Sequence, residues 1–211
     1  KLCVSEQSAQ RQRELEAAYE LTLWGWAKAV ELRDQETAGH TERVTALTLR
    51  LAKALGVPEE DLDDLRRGAI LHDVGKIGLP DRILRGEAPL SEADWRLIQA
   101  HPIKGDEILT PLKVHPRLRP YVRWHHEKLD GSGYPDGLTE IPLLVQVLSA
   151  ADMYDALTSR RTYRKAVRPE EALEALEREV REGRLALEAV RALRSGLRRG
   201  ASEAEGHVLH L

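Results

Sequence analysis

The stretch Ile70-Leu71-His72-Asp73-Val74-Gly75-Lys76-Ile77-Gly78 constrains this chain most, because it ends an apolar helix on an adjacent imidazole and carboxylate with an amine one turn on. At helical pitch Leu65, Ala69, His72, Asp73 and Lys76 share one arc of roughly 100°. The stripe that enters a core therefore carries His72 and Asp73 inward. Gly75, Gly78 and Pro80 predict the end of the helix. The imidazole offers a neutral nitrogen ligand, and the carboxylate has two oxygens with which to bridge two cations. A lone His-Asp pair is more often a hydrogen-bonded, partly buried pair than a metal site. The decision rests on what the remaining sequence brings to it.

A chain of 211 residues suits one domain plus an appendage. Charged residues make up 32% of it, yet the net charge is -3, so there is no bulk electrostatic case for a nucleic acid polymer or an anionic membrane. The single cysteine, Cys3, excludes an internal disulfide and suits a reducing, cytoplasmic compartment. Residues 21–30 form the longest apolar stretch near the start, well short of the roughly 20 residues that span a bilayer. The expectation is a soluble chain, or the soluble part of a larger one. Phe is absent, and Leu, Ala, Arg and Glu dominate, a composition that favours helix throughout and an all-α fold.

Residues 6–33 read as a long amphipathic helix with Leu15, Ala18, Tyr19, Thr22, Trp26 and Val30 along one stripe. Its partner is the domain itself, a second copy of the helix, or both. The next helix carries Glu36 and His40 one turn apart and continues through Val44, Leu47 and Leu51 to Gly56, all five within roughly 80° of arc. Pro58 opens the helix that reaches His72, with Glu59, Glu60 and Asp61 at its positive end. Ser91 and Asp94 form a capping box for a helix that buries Trp95 and Ile98 and arrives at His101-Pro102. The adjacent His125 and His126, on a helix, diverge by about 100° and suit two metals better than one. Three glycines and a proline follow them, in a loop able to approach a ligand or simply to turn at the surface.

Residues 143–151 are too short to separate helix from buried strand by period alone, but Asp152 and Asp155, three apart, favour helix. Arg161 and Arg164 read equally as a solvated charge run or as bidentate phosphate donors. Two more amphipathic helices follow, with fraying from residue 200. His115, His207 and His210 read as surface groups.

Five of the eight histidines, His40, His72, His101, His125 and His126, fall at helix ends or on inward faces, together with Glu36, Asp73 and Asp152. That set is too large for one zinc ion and about right for two or three six-coordinate metals with room for water and substrate. Satisfied core histidines would not need the carboxylates.

In order and spacing, His40-Thr41-Glu42-Arg43-Val44, the stretch from Leu71 to Gly78, His101-Pro102 with Gly105, His125-His126-Glu127 through Gly133-Tyr134-Pro135, and Ala151-Asp152-Met153-Tyr154-Asp155 resemble the HD-GYP family of cyclic di-GMP phosphodiesterases. The resemblance covers about residues 28–180 and implies an all-helical HD-superfamily bundle; the domain is expected over residues 28–199, after a coiled-coil-like linker helix at 1–27 that follows a sensor domain and before a disordered tail at 200–211. It implies metal ligation by His40, His72, Asp73, His101, His125, His126 and Asp152, with Asp73 bridging two ions and Glu36 matching the position that holds a third in some members. It assigns Lys76, Asp155, Arg161 and Arg164 to phosphate contacts or to support of the site. The implied cofactors are two or three divalent ions, iron or manganese. A metal-bridging hydroxide would open cyclic di-GMP to pGpG, with a second cut to GMP allowed, Asp73 and Lys76 serving the reaction.

The implied partners are a diguanylate cyclase at the Gly-Tyr-Pro loop and a second copy through the first helix. A non-catalytic cyclic di-GMP receptor is the alternative, and another cyclic dinucleotide a further one. The sequence departs from the family pattern at Gln146, usually an arginine, in a shortened turn at 138–142, and in residues 183–190, which lack the usual Asp-Pro.

Overall fold

The computed structural model describes residues 2–34, 39–86, 89–113, 115–159 and 166–208, without side-chain detail for 2–6, 115 and 198–208. Glu36, Arg161, Arg164 and His210 lie outside the described residues, as do the side chains of His115 and His207. The described residues contain helices and no strand: α1 (Leu2–Asp34), α2 (His40–Ala54), α3 (Glu59–Leu71), a 3₁₀ turn (Val74–Gly78), α4 (Asp81–Leu84), α5 (Glu92–Gln99), α6 (His101–Leu109), α7 (His115–Trp124), α8 (Leu143–Thr158), α9 (Pro169–Arg181) and α10 (Leu187–Val208).

Two apolar cores hold them. In the larger one Leu51, Leu65, Leu148, Leu176 and Leu193 interdigitate from α2, α3, α8, α9 and α10. In the smaller one Leu23 and Ala27 of α1 pack on Ile70, Leu71, Val74, Leu109, Leu118 and Val122. Ile70 and Leu71 belong to the second core, Leu65 and Ala69 to the first, so the end of α3 lies at the seam between them. His72 emerges at that seam.

Several local expectations change. The docked face of α1 is Leu23, Ala27 and Val30, with Tyr19 half-buried, whereas Leu15 is 66% exposed and Trp26 38% exposed. Residues 21–30 are apolar around much of the helix, and periodicity alone cannot say which face meets the domain. α2 begins at His40, after Gly39 at a φ of 82°, a left-handed conformation that ends regular helix in the preceding direction. α3 ends at Leu71, and Gly75 sits inside the 3₁₀ turn for a different reason from the one its composition suggests. A Cβ there would lie 1.9 Å from the His101 carbonyl oxygen and 2.5 Å from the Gly105 nitrogen. Only glycine lets the turn and α6 approach that closely.

The capping box at Ser91 and Asp94 forms as read, but Trp95 is 53% exposed, because the short α5 turns Asp94 inward to Arg82 and leaves Trp95 outside. Residues 143–158 are helical, and Asp152 and Asp155 lie one turn apart on α8. α10 runs to Val208, past residue 200 where fraying is expected.

Candidate metal centre

His40 is the first residue of α2, His72 caps α3, Asp73 opens the 3₁₀ turn, His101 starts α6, His125 and His126 follow the end of α7, and Asp152 projects from the middle of α8. Helix ends supply the histidines for a physical reason. The Nδ1–H of His72 donates to the Ala69 carbonyl (2.8 Å), that of His101 to Ile98 (2.7 Å) and that of His125 to Val122 (3.0 Å), in each case the carbonyl three residues back. These are terminal carbonyls with reduced helical demand. Each such bond leaves Nε2 as the inward atom and selects the tautomer a metal needs.

His40 is anchored differently. Its Nδ1 donates to Asp155 Oδ2 at 2.8 Å, and the same carboxylate accepts from Arg43 Nε (2.6 Å) and Nη2 (3.0 Å).

The inward atoms fall into two groups that share one carboxylate. Asp73, His101, His125 and His126 form one, and His40, His72 and Asp73 the other, with ligand atoms within 4.8 Å of each other in each group. His101 Nε2 is 3.2 Å from Asp73 Oδ1, and His72 Nε2 is 3.3 Å from Asp73 Oδ2. Asp152 Oδ1 lies 3.4 Å from His40 Nε2 and 4.0 Å from His72 Nε2, which adds a second carboxylate to the second group. Lys76 Nζ bonds to Asp73 Oδ2 (2.8 Å) and Asp34 Oδ2 (2.9 Å).

The electrostatics suit cations. Burial would raise the Asp73 carboxyl, but Lys76 and His72 outweigh it and hold it well below the usual range. Asp152 is likewise held low against burial by the His40 and His72 rings beside it. Burial first, then the neighbouring His101, pushes His126 down to about 3, and His125 lies well below the ordinary imidazole value for the same first reason. Both rings are therefore neutral at physiological pH. His72 Nε2 is buried without a hydrogen bond. A buried orphan nitrogen facing two ionised carboxylates is a poor hydrogen-bonding arrangement and a good ligand set, so the residues fit divalent metals.

His125 and His126 do not diverge. α7 ends at Trp124, the pair sits in the turn beyond it, and the two rings lie 4.1 Å apart, centroid to centroid, within the same group. Asp155 lies behind His40. Sequence reasoning missed Asp34, and gave Arg43, Glu127 and Tyr134 no role of their own within the motifs that carry them. For Asp34 a signal existed: a carboxylate in the last turn of a helix opposes the dipole and calls for a cation, here Lys76.

An all-helical bundle that gathers helix-end histidines around a shared aspartate defines the HD-domain class, and the chain belongs to the HD domain family, which matches residues 26–185. Within it the chain falls with the HD-GYP proteins. It is 40% identical over 172 residues to the 3'3'-cGAMP-specific phosphodiesterase 3 of Vibrio cholerae, an alignment covering 80% of this chain and 37% of that protein. It is also 40% identical over 152 residues to a cyclic di-GMP phosphodiesterase of Thermotoga maritima, covering 70% of this chain and 41% of the other. The solved structure of Bd1817, a HDG"Y"P protein from Bdellovibrio bacteriovorus, superposes with a TM-score of 0.63 at 26% identity, over 78% of this chain and 53% of that one. The chain spans about two fifths of the length of these curated relatives.

Proposed function

We propose that the chain is a metal-dependent phosphodiesterase that hydrolyses a cyclic dinucleotide, cyclic di-GMP in the first instance, to pGpG, with a second cut to GMP allowed. The observation that carries this reading is Asp73, which belongs to both ligand groups and so suits two ions held side by side. His40, His72, Asp73 and Asp152 would hold one, and Asp73, His101, His125 and His126 the other, with Glu36 serving a third. Iron and manganese suit such a histidine–carboxylate set. Bound ions of this kind lower the pKa of water and neutralise phosphate charge.

The chain's own side chains do the rest. Carbonyls and Asp155 fix the imidazole tautomers, and the Asp34–Lys76–Asp73 row holds an amine beside the carboxylate pair. Lys76 is the cation we assign to a non-bridging phosphate oxygen, with Arg161 and Arg164 on the remaining phosphate charge. A diguanylate cyclase at the Gly-Tyr-Pro loop and a second copy along the exposed face of α1, where Leu15, Leu21 and Leu32 lie open, complete the proposed partners. Among the described residues no helix is long and apolar enough to cross a membrane.

A second reading, 3'3'-cGAMP as substrate, is favoured by the equal identity to relatives of both names. Both readings are tested by turnover of each dinucleotide by chain loaded anaerobically with ferrous iron or manganese, with metal analysis of the same sample. The expected result is hydrolysis with two or three ions per chain, lost in His72→Ala and Asp73→Ala. Tight binding without hydrolysis by metal-replete chain would replace the enzyme with a receptor.

A further inference from the structure

Four of the five clustered histidines have Nδ1 anchored by an oxygen, three by carbonyls and His40 by Asp155. His126 is the exception. Neither of its ring nitrogens makes a hydrogen bond among the described residues, yet its ring lies within the Asp73 group. Its ring meets those of two other ligands, His125 at 4.1 Å and His101 at 5.1 Å, and one ring that is not a ligand, Tyr134 at 4.8 Å with 31° between planes. A tilted ring contact at that separation is a favourable aromatic contact.

Tyr134 is brought there deliberately. Its backbone N–H donates to the His126 carbonyl at 3.2 Å, so the two residues are joined through both main chain and ring. The buried Glu127 carboxylate accepts from the N–H groups of Asp136 (2.5 Å), Gly137 (3.1 Å) and Leu138 (2.9 Å) and closes the loop from beneath. Asp136 is in turn gripped by Arg123 and by the Trp124 indole N–H. A Cβ on Gly133 would stand 2.3 Å from the Lys128 nitrogen, so the fold-back that lays Tyr134 over His126 needs glycine there.

We infer that Tyr134 is the positioning residue for His126, its aromatic face doing for this ring what a hydrogen-bonded oxygen does for the other four. The inference gives the tyrosine of Gly133-Tyr134-Pro135 a task inside the site, and it rests on the metal-binding reading above. It also divides the side chain: the ring is required and the hydroxyl is not.

The test compares wild type with Tyr134→Phe and Tyr134→Leu in two stages. In metal-free, histidine-labelled chain, NMR should find the His126 ring protons displaced by the Tyr134 ring current in wild type and Tyr134→Phe, with the displacement lost in Tyr134→Leu. Titration with manganese should then give wild-type affinity for Tyr134→Phe and a loss of about 10-fold or more at one ion for Tyr134→Leu, the scale typical of removing an outer support of a ligand. Tyr134 is only half-buried and lies outside both cores, so the leucine variant should keep its helical circular dichroism, and Tyr134→Met offers the same readout if it does not. Wild-type affinity in Tyr134→Leu would overturn the inference, and so would equal losses in Tyr134→Phe and Tyr134→Leu. A chain that binds no metal but keeps the ring-current pattern would instead overturn the metal reading alone.

Discussion

The Asp155 carboxylate receives His40 Nδ1 and the Arg43 guanidinium together, which holds it below the usual carboxylate range even though burial acts to raise it. Its removal frees the His40 ring and leaves Arg43 without that acceptor. Asp155→Ala should therefore weaken metal binding by about 10- to 100-fold, with Asp155→Asn falling between it and wild type. Metal content after dialysis against graded chelator would check this, and unchanged retention in Asp155→Ala would contradict the assignment. Asp136 obeys the same electrostatics at the loop. Arg123 hydrogen bonds lower its carboxyl, outweighing partial burial. Because the folded value is the depressed one, the contribution is complete above the unfolded value of about 3.9 and fades as pH falls through the folded value. In metal-free chain, Asp136→Asn should cost about 1–2 kcal/mol at pH 7 by urea denaturation, and the gap from wild type should narrow only below about pH 4. A gap that closed nearer pH 6 would point to the histidines instead. The residues at the centre were legible because histidine and aspartate announce themselves at helix ends. Of those that orient them, Asp155 enters only through the family resemblance, since it is 115 positions from His40 and no local pattern links the two.

Among the elements, α1 separates what period can say from what it cannot. Its helical state follows from composition, and its length came out close to expectation, Leu2–Asp34. Its docked face follows only in part: Val30 and Tyr19 lie on it, but Leu23 and Ala27 take the place of Leu15, Thr22 and Trp26, and the choice is made by the shape of the surface that α3 and the 3₁₀ turn offer. Leu23→Ala should then cost about 2–5 kcal/mol, whereas Leu15→Ala should stay within about 0.5 kcal/mol in the isolated monomer. Denaturation of the two variants at low concentration distinguishes them. A large cost for Leu15→Ala that grew with concentration would instead register a second copy on that face. The glycines of the 3₁₀ turn and the loop were similarly visible as turn formers and misread in purpose: Gly75 and Gly133 serve close approach, a property of two segments at once.

At the scale of the whole molecule, the site lies where the two cores meet, and this couples metal to fold. α2 and α8 of the larger core deliver His40 and Asp152, while α6 and α7 of the smaller one deliver His101 and the His125–His126 pair. Asp73, between them, is drawn on by both groups. Without a cation the seam must tolerate two ionised carboxylates and an orphan His72 nitrogen in the same buried space. An ion that binds only the folded chain stabilises it by about 2.7 kcal/mol at 100-fold excess over its Kd. For a domain of this size that corresponds to a rise in Tm of about 5–11 °C for each site filled. Calorimetry with manganese and then with excess chelator should therefore find a single transition that moves as a unit, because the ligands come from both cores and neither can melt without releasing them. Splitting of the transition on chelation would mean that the metals are what join the two halves. A Tm indifferent to either addition would mean that the convergence of His40, His72, Asp73, His101, His125, His126 and Asp152 serves something other than metal.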